Sequence, residues 1–389
     1  MTRVCAVSFK ESWTDADGNW FSNGGFPLQM GAIASLFDTM TLLITRSDVP
    51  GQGGLRLPAS ANVVVLRKPV GKDFRRKISI VANLYYYVST IARYAREADV
   101  VHVPPPGDIP LLGMLVAIAL RKRLIVRYCG SWAVTGRTTI MNRVTRGLMR
   151  VFAGGRNVML ATGESERPPA RGVHWIFSTG LSRQELLETR PVTVRALSNP
   201  PQIAYVGRLS VEKGVVNLIE AVDLLDREGF AHLPEITLIG DGPDRALLMN
   251  RVASLRWKEK VHFAGQLDRT DLNRSLDKMD FCVQPSLSEG YSKAWLDAFA
   301  HGLPVLASEA GAARQVIGED RGWLVVPGDV PMLADRLRHV LSDSRDWPAL
   351  RSRCRRFAES RTLEAWAEEI GRICCEQWNV QLSNGKLIG

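Results

Sequence analysis

Short runs of apolar, mostly β-branched residues alternate with longer amphipathic stretches along the whole chain. The short runs have the length of buried strands, and the longer stretches repeat apolar positions every three or four residues, as helices do. This alternation predicts an α/β fold with parallel sheets covered by helices. The predicted strands are Val4–Phe9, Thr39–Thr45, Val63–Arg67, Val100–Val103, Leu124–Tyr128, Asn157–Ala161, Ile203–Val206, Ile236–Ile239, Val261–Phe263, Phe281–Gln284, Pro304–Ala307 and Trp323–Val325.

The pattern occurs twice, once in each half of the chain, which indicates two Rossmann-like, doubly wound domains that face each other across a cleft. Between them, the stretch from Arg190 to Gln202 contains Pro191, Pro200 and Pro201 and lacks a hydrophobic period, as linkers do. We therefore predict an N-terminal domain at 1–190, a linker at 191–202, a C-terminal domain at 203–360 and a terminal helical segment at 361–389.

Two basic residues lie in a glycine-bounded turn after the first strand of the second half. Gly207 and Gly214 enclose Arg208 and Lys213, and a helical pattern follows directly. Ligands of parallel sheets bind beyond the carboxyl ends of the strands, and two cations beside a helix N-terminus favour an anion. The loop is a candidate phosphate site, with ordinary surface charges as the alternative.

A later loop carries two carboxylates eight residues apart. Glu289 precedes a predicted helix of about three turns, and Asp297 lies within that helix, which the sequence Gly-Leu-Pro ends. At ~1.5 Å rise per residue, the two positions are roughly 12 Å apart along the axis. This spacing fits a sugar at Glu289, a ribose at Asp297 and a pyrophosphate between them. The backbone N–H groups that we expect to hold the pyrophosphate belong to Gly290, Tyr291, Ser292 and Lys293.

The net charge of +10 comes from the first half of the chain, where residues 1–190 contain 25 Lys and Arg against 13 Asp and Glu. Basic residues beside an aromatic cluster suit an anionic bilayer surface, although a solvated basic face is the alternative. The nearly neutral second half and the lack of zinc-finger or RNA-binding patterns argue against nucleic acid. The basic clusters are Arg67, Lys68, Lys72, Arg75, Arg76 and Lys77, followed by Tyr85, Tyr86 and Tyr87, and then Arg137, Arg143, Arg146 and Arg150.

Five segments of the second half occur in a fixed order: Gly-Arg-Leu-x-x-Glu-Lys-Gly, Leu-Ile-Gly-Asp-Gly-Pro, Val-His-Phe-Ala-Gly, Gln-Pro-Ser-x-x-Glu-Gly-Tyr and Ala-x-Gly-Leu-Pro-Val-Leu-Ala. From about residue 203 to residue 341, they closely resemble the donor domain of family 4 glycosyltransferases of the GT-B fold. The resemblance implies transfer of a sugar from a nucleotide diphosphate sugar with retention of configuration, without a divalent metal or another cofactor.

The same resemblance implies roles for individual residues. Arg208 and Lys213 bind the donor phosphates, Glu289 contacts the donor sugar, and Asp297 binds the ribose hydroxyls. The N-terminal domain binds the acceptor. The segment 361–389 crosses back to that domain, with an amphipathic helix on the second domain as the alternative.

The first half matches this family more loosely. Gly24 and Gly25 resemble the glycine loop that lets the backbone approach the donor phosphate or the acceptor. Cys129 stands where many members place a His near the reaction centre, so it is a candidate on the acceptor or sugar side. Asp297 and Gln315 each stand where Glu is common.

The leading hypothesis is a cytoplasmic hexosyltransferase, peripheral at the inner face of the cell membrane. It would use a UDP- or GDP-sugar to extend a lipid-linked saccharide in polysaccharide or glycolipid assembly. The alternatives are a soluble transferase or nucleotide-sugar epimerase acting on a small acceptor, and a non-catalytic sugar-binding or scaffold protein.

Overall fold

The computed structural model describes residues 1–388 apart from 48, 50, 52, 53, 72, 133–137, 190–195 and 343–345. Its strands, in chain order, are β1 (Arg3–Thr14), β2 (Trp20–Ser22), β3 (Thr39–Arg46), β4 (Leu55–Arg56), β5 (Ala61–Leu66), β6 (Val100–Val103), β7 (Arg123–Tyr128), β8 (Asn157–Thr162), β9 (Val173–Ile176), β10 (Gln202–Val206), β11 (Glu235–Ile239), β12 (Val261–Gly265), β13 (Phe281–Gln284), β14 (Val305–Ser308), β15 (Gly322–Val325), β16 (Gln381–Ser383) and β17 (Lys386–Ile388). The helices are α1 (Phe26–Ala34), α2 (Asp73–Ala82), α3 (Leu84–Glu97), α4 (Asp108–Ala119), α5 (Ile140–Phe152), α6 (Arg183–Glu188), α7 (Val215–Arg227), α8 (Arg245–Ala253), α9 (Arg269–Leu276), α10 (Lys293–Ala300), α11 (Ala313–Val316), α12 (Val330–Ser342), α13 (Trp347–Glu359) and α14 (Leu363–Trp378).

The chain forms two compact units, which we call unit 1 (Met1–Gly180 with Leu363–Gly389) and unit 2 (Leu181–Thr362). In unit 1, the parallel strands run in the order β5-β3-β1-β6-β7-β8-β9, and β2 and β4 extend β1 in antiparallel pairing. The strands are apolar on both faces because helices cover both sides of a parallel sheet.

Helix α14 is part of the core of unit 1. Its residues Trp366, Ile370 and Ile373 are almost fully buried and pack with residues of β1 and α1 such as Val4 and Met30. These buried positions recur every three or four residues, so one face of the helix supplies the contact.

Unit 2 contains a six-stranded parallel sheet in the order β12-β11-β10-β13-β14-β15. In chain order this is 3-2-1-4-5-6, the doubly wound order of Rossmann folds. The strand order reverses between β10 and β13, and loops following those two strands carry the candidate phosphate-site and carboxylate residues. Thus both units confirm the predicted α/β class, and all twelve predicted strands are present.

The unit boundary lies earlier than the sequence placed it, at residue 180 rather than 190. Helix α6 belongs to unit 2 because Arg355 of α13 donates hydrogen bonds to the carbonyl of Leu186 and the hydroxyl of Thr189. Helix α10 is also shorter than predicted, at eight residues or about two turns rather than three. Gly302, with φ 68°, ends it as expected.

Candidate active site

The glycine-bounded loop after β10 is tied to the loop after β13 by backbone contacts. The amide of Leu287 donates to the carbonyl of Glu212 at 2.9 Å. Gly214 has φ 64°, and a Cβ there would collide with the carbonyl of Pro285. Glycine is therefore required at this position both by the backbone conformation and by the close approach of the second loop.

Lys213 and Glu289 meet where these two loops join. The ammonium of Lys213 donates to Oε2 of Glu289 at 2.5 Å, and their side chains are 29% and 13% exposed. The amide of Gly290 donates to Oε1 of the same carboxylate at 3.2 Å. Burial, and then the charge of Glu289, raise the pKa of the Tyr205 hydroxyl beneath the loop. The carboxylate is thus fixed by two donors at the edge of solvent.

Arg208 lies in the same loop and is exposed. The Tyr205 hydroxyl donates to its backbone carbonyl at 2.8 Å, which orders the backbone of the loop. No acidic side chain among the described residues forms an ion pair with the Arg208 guanidinium. Its five N–H donors can bind phosphate oxygens without first breaking such a pair.

The segment that leads into α10 is held from the opposite side by Gly311. This glycine has φ 60°, and a Cβ there would meet the carbonyls of Glu289 and Gly290. The amide of Ala312 donates to the Gly290 carbonyl at 2.9 Å. Ser292 is the N-cap residue of α10, but its side chain makes no capping hydrogen bond. The helix start therefore has a fixed backbone with a hydroxyl that is not used for capping.

Asp297 has a charged partner that the sequence pattern did not reveal. The guanidinium of Arg269 lies 2.8 Å from Oδ1 of Asp297, and its Nε also donates to Glu185. Burial alone would lower the pKa of Arg269. The carboxylates of Asp297 and Glu185 have the larger effect, so the pKa of Arg269 is raised overall. The structure therefore joins Asp297 to Arg269, whereas Glu289 is joined to Lys213.

One sequence signal could have drawn attention to Arg269. Asp268 is the N-cap residue of α9 and accepts a hydrogen bond from the amide of Asp271 at 2.9 Å. An Asp three residues before a second Asp, directly after the strand β12, is a helix-start pattern. This helix-start pattern places Arg269 at the carboxyl edge of the sheet of unit 2, where the loops that carry Lys213 and Glu289 also lie.

The other candidates of the first half lie in unit 1. Gly24 has φ 71° with open space around its Cα, and Gly25 is the residue before α1. Cys129 follows β7 and is exposed, and its thiol contacts the carbonyl of Arg127 at 3.3 Å. A thiol is a weak donor, so this residue offers less hydrogen bonding than a histidine would.

The predicted basic clusters of unit 1 are only partly at the surface. Arg146 is 2% exposed and donates to the carbonyl of Trp132 at 2.6 Å, so its role in the described structure is internal. Arg75 and Lys77 of α2 are exposed. Lys72 and Arg137, which belong to the same predictions, lie outside the described residues.

An exposed apolar stripe runs along α2 and α3 beside Arg75 and Lys77. Each of its side chains is at least about a third exposed, and Tyr85 is 88% exposed. The spacing of three residues puts Ile78 and Val81 on one face of α2, and Tyr85 and Val88 on one face of α3. The stripe consists of Ile78, Val81, Tyr85 and Val88.

Within the described residues, no three His, Cys, Asp or Glu side chains are grouped as a metal-binding cluster. The described helices also include none with the length and hydropathy of a membrane span.

Known proteins resemble this chain in both sequence and fold. Residues 191–361 match the family model for glycosyl transferases group 1. The sulfoquinovosyl transferase SQD2 of Arabidopsis thaliana is 27% identical over 283 residues, which is 66% of this chain and 52% of that protein. The chain spans about half or less of the length of the curated relatives that it matches.

Two solved structures share the fold over nearly the whole chain. Sucrose-phosphate synthase from Thermosynechococcus elongatus has a TM-score of 0.71 and 18% identity, covering 97% of this chain and 99% of that one. The Anabaena protein HepE, solved in complex with UDP and glucose, has a TM-score of 0.68 and 18% identity, covering 96% and 98%. The ordered sequence segments, the family match and the shared fold together identify a group 1 glycosyltransferase domain, at residues 191–361, in a chain of the GT-B fold.

Proposed function

We propose that this protein is a glycosyltransferase that takes a hexose from a nucleotide diphosphate sugar. The observation that carries the proposal is the contact between Lys213 and Glu289, which joins a cationic loop to a carboxylate at the point where the strand order of unit 2 reverses. Ligands bind at such points in doubly wound sheets. The UDP in the HepE structure supports a nucleotide as the ligand.

The proposed reaction breaks the bond between the anomeric carbon and the donor diphosphate and forms a bond to an acceptor hydroxyl. Negative charge develops on the leaving diphosphate, where Arg208 and Lys213 would stabilise it without a metal ion. The acceptor proton passes to the leaving diphosphate on the same face, which accounts for retention without a separate base. Glu289 would orient the sugar by accepting its hydroxyl hydrogen bonds.

A thermal-shift panel of UDP, GDP and their hexose conjugates tests this proposal. A ligand that binds only the folded protein raises its apparent stability by RT ln(1 + [L]/Kd), so the donor gives the largest shift. Turnover of that donor by the wild type but not by Glu289→Ala supports a transferase. If none of the nucleotides shifts the melting temperature, the proposal is wrong.

We propose a lipid-linked saccharide as the acceptor, reached by docking of unit 1 on the inner face of the cell membrane. The support is the exposed apolar stripe of α2 and α3, where Val81 and Tyr85 are 69% and 88% exposed. Exposed Arg75 and Lys77 lie on the same helical segment and complement anionic headgroups, each cation near the surface contributing about 1 kcal/mol. Apolar side chains bordered by cations are typical of helices that lie in the membrane interface.

A further inference from the structure

Arg269 connects two carboxylates that come from different helices. One of its terminal nitrogens lies 2.8 Å from Oδ1 of Asp297 in α10, and its Nε donates to Oε1 of Glu185 in α6. Asn273, one turn later in α9, also donates to Glu185 at 3.2 Å. The position of the guanidinium is thus fixed from two sides.

The contact uses only part of the hydrogen-bonding capacity of either group. Arginine has five N–H donors, more than these two contacts use, and the Arg269 side chain is 31% exposed. Arg269 contacts Oδ1 of Asp297, which leaves Oδ2 as an acceptor in a side chain that is 11% exposed. A donor and an acceptor with further hydrogen-bonding capacity therefore lie together on α9 and α10, which follow β12 and β13.

Because the side chain of Asp297 is short, its carboxylate depends on the contact with Arg269 for a fixed orientation. Aspartate has one methylene less than glutamate, so it reaches less far from the helix, and its carboxylate needs a fixed orientation to meet a ligand. A charged hydrogen bond from Arg269 supplies that orientation because it is shorter and stronger than a neutral one.

We propose that Arg269 is a positioning residue that fixes Asp297 for recognition of the ribose hydroxyls of the donor nucleotide. This inference rests on the proposed function and adds the residue that controls ribose recognition. Arg269 holds Oδ1, and Oδ2 accepts the hydrogen bond of the 2′-hydroxyl. Loss of the guanidinium removes the preference for ribose over 2′-deoxyribose.

The test compares UDP with 2′-deoxy-UDP, and GDP with 2′-deoxy-GDP, by isothermal titration calorimetry. We expect the wild type to bind the ribose form of its nucleotide roughly tenfold more tightly than the deoxy form, as loss of one hydrogen bond to a charged group predicts. In Arg269→Ala we expect the ratio of the two affinities, ribose form to deoxy form, to fall to near one, because the ribose form binds more weakly. Arg269→Lys restores part of the ratio.

Arg355→Ala is the matched control. Arg355 also holds α6 and α10, through the carbonyls of Leu186 and Ala300, but it does not contact Asp297 in the described structure. We expect it to lower the melting temperature and keep the wild-type ratio.

Three outcomes would contradict the positioning role of Arg269 without contradicting the proposed binding of a nucleotide. They are a wild-type ratio of one, an Arg269→Ala variant that keeps the wild-type ratio, and an Arg355→Ala variant that loses the ratio as fully as Arg269→Ala does. If the wild type binds no nucleotide at all, the proposed function itself is wrong and this inference falls with it.

Discussion

The ammonium of Lys213 lies 2.5 Å from a carboxylate oxygen of Glu289, although 76 residues separate them in the chain. Both groups are predicted to bind parts of the same donor, the lysine its phosphate and the glutamate its sugar. In the structure each partly neutralises the other. Binding of the proposed donor would therefore divide this ion pair between two new partners.

Glu289→Gln keeps the size of the side chain and removes its charge. We expect kcat/KM for donor turnover to fall about 10- to 100-fold, since a hydrogen bond to a charged group contributes about 1.5–3 kcal/mol. The free energy of unfolding should change by no more than about 1 kcal/mol, because the ion pair is partly exposed. Steady-state kinetics and chemical denaturation measure the two effects. Glu319→Gln, an exposed acid of the same unit, should leave both quantities unchanged, and equal kinetics for the two variants would contradict the role of Glu289.

Arg208→Ala removes an exposed cation that has no ion-pair partner among the described residues. We expect about tenfold weaker binding of the donor nucleotide and a smaller loss of affinity on adding salt, because one charge contact to phosphate disappears. The melting temperature of the free protein should stay the same. Calorimetric titration at two salt concentrations checks this. Arg256→Ala, which removes another exposed arginine of unit 2, should bind as the wild type does.

Gly214→Ala places a methyl group against the carbonyl of Pro285. It also forces a residue with a Cβ to adopt a φ of 64°, which such residues rarely adopt. We expect a loss in free energy of unfolding on the order of 2 kcal/mol or more, together with weaker nucleotide binding. Gly229→Ala isolates the conformational part of this cost, because Gly229 has φ 77° and open space around it. That variant should lose about 1 kcal/mol. Urea denaturation measures the free energy of unfolding of both variants. If both lose the same amount, the structure relieves the collision with Pro285 without loss of stability.

Val81→Glu with Tyr85→Glu places two acids in the exposed apolar stripe. In flotation with vesicles containing phosphatidylglycerol, we expect the wild type to bind at low salt and the double variant to stay in solution. Leu247→Glu, which changes an exposed apolar residue on α8 of unit 2, should float as the wild type does. If the wild type fails to bind anionic vesicles at low salt, the membrane proposal is wrong.

His102 links stability to pH. Burial, and then the charge of Arg127, lower the pKa of the imidazole from 6.5 to about 3 in the folded protein. The unfolded chain takes up a proton below pH 6.5 and the folded chain does not, so this contribution to stability is complete above pH 6.5 and is lost as pH falls toward 3. The expected slope approaches 1.4 kcal/mol per pH unit. In His102→Leu the unfolding free energy, followed by hydrogen exchange in unit 1 between pH 7 and 5, should depend less on pH. A slope unchanged from the wild type would show that His102 is protonated in the folded state.

Twelve of the thirteen parallel strands in the described structure were predictable from sequence, because a strand buried on both faces is a continuous apolar run. The exception is β9, whose His174 and Trp175 are only half-buried. The strands that escaped prediction are short or antiparallel, such as β2, β4 and the hairpin of β16 and β17. Gln381, Leu382 and Ser383 of β16 are all exposed, so no burial pattern marks them. Their pairing depends on contacts that no local pattern encodes.

The residues of the candidate site were likewise only partly predictable from the sequence. The cationic loop after β10, the spacing of the two carboxylates and the order of the motifs brought Lys213 and Glu289 to attention, and the structure places them in contact. The pairing of Asp297 with Arg269 could not be predicted, although a helix-start pattern precedes Arg269. Arg269 and Glu185 lie 28 and 112 residues earlier in the chain, and no local pattern links them to Asp297. Long-range ion pairs of this kind form only once three helices have packed. Such pairing also explains why α6, which the sequence prediction assigned to the N-terminal domain, belongs to unit 2.

The ion pair of Lys213 and Glu289 also bears on how the reaction ends. In the proposed reaction, the sugar would leave Glu289 while the diphosphate still engages Lys213, so the glutamate would compete with the product for the lysine. The contact between Lys213 and Glu289 would form again as the diphosphate departs, which would lower the free-energy cost of product release. The intact donor would also break this ion pair, but its sugar would give Glu289 a new partner. We therefore expect the nucleotide product to be a weak inhibitor in the wild type and a stronger one in Glu289→Gln.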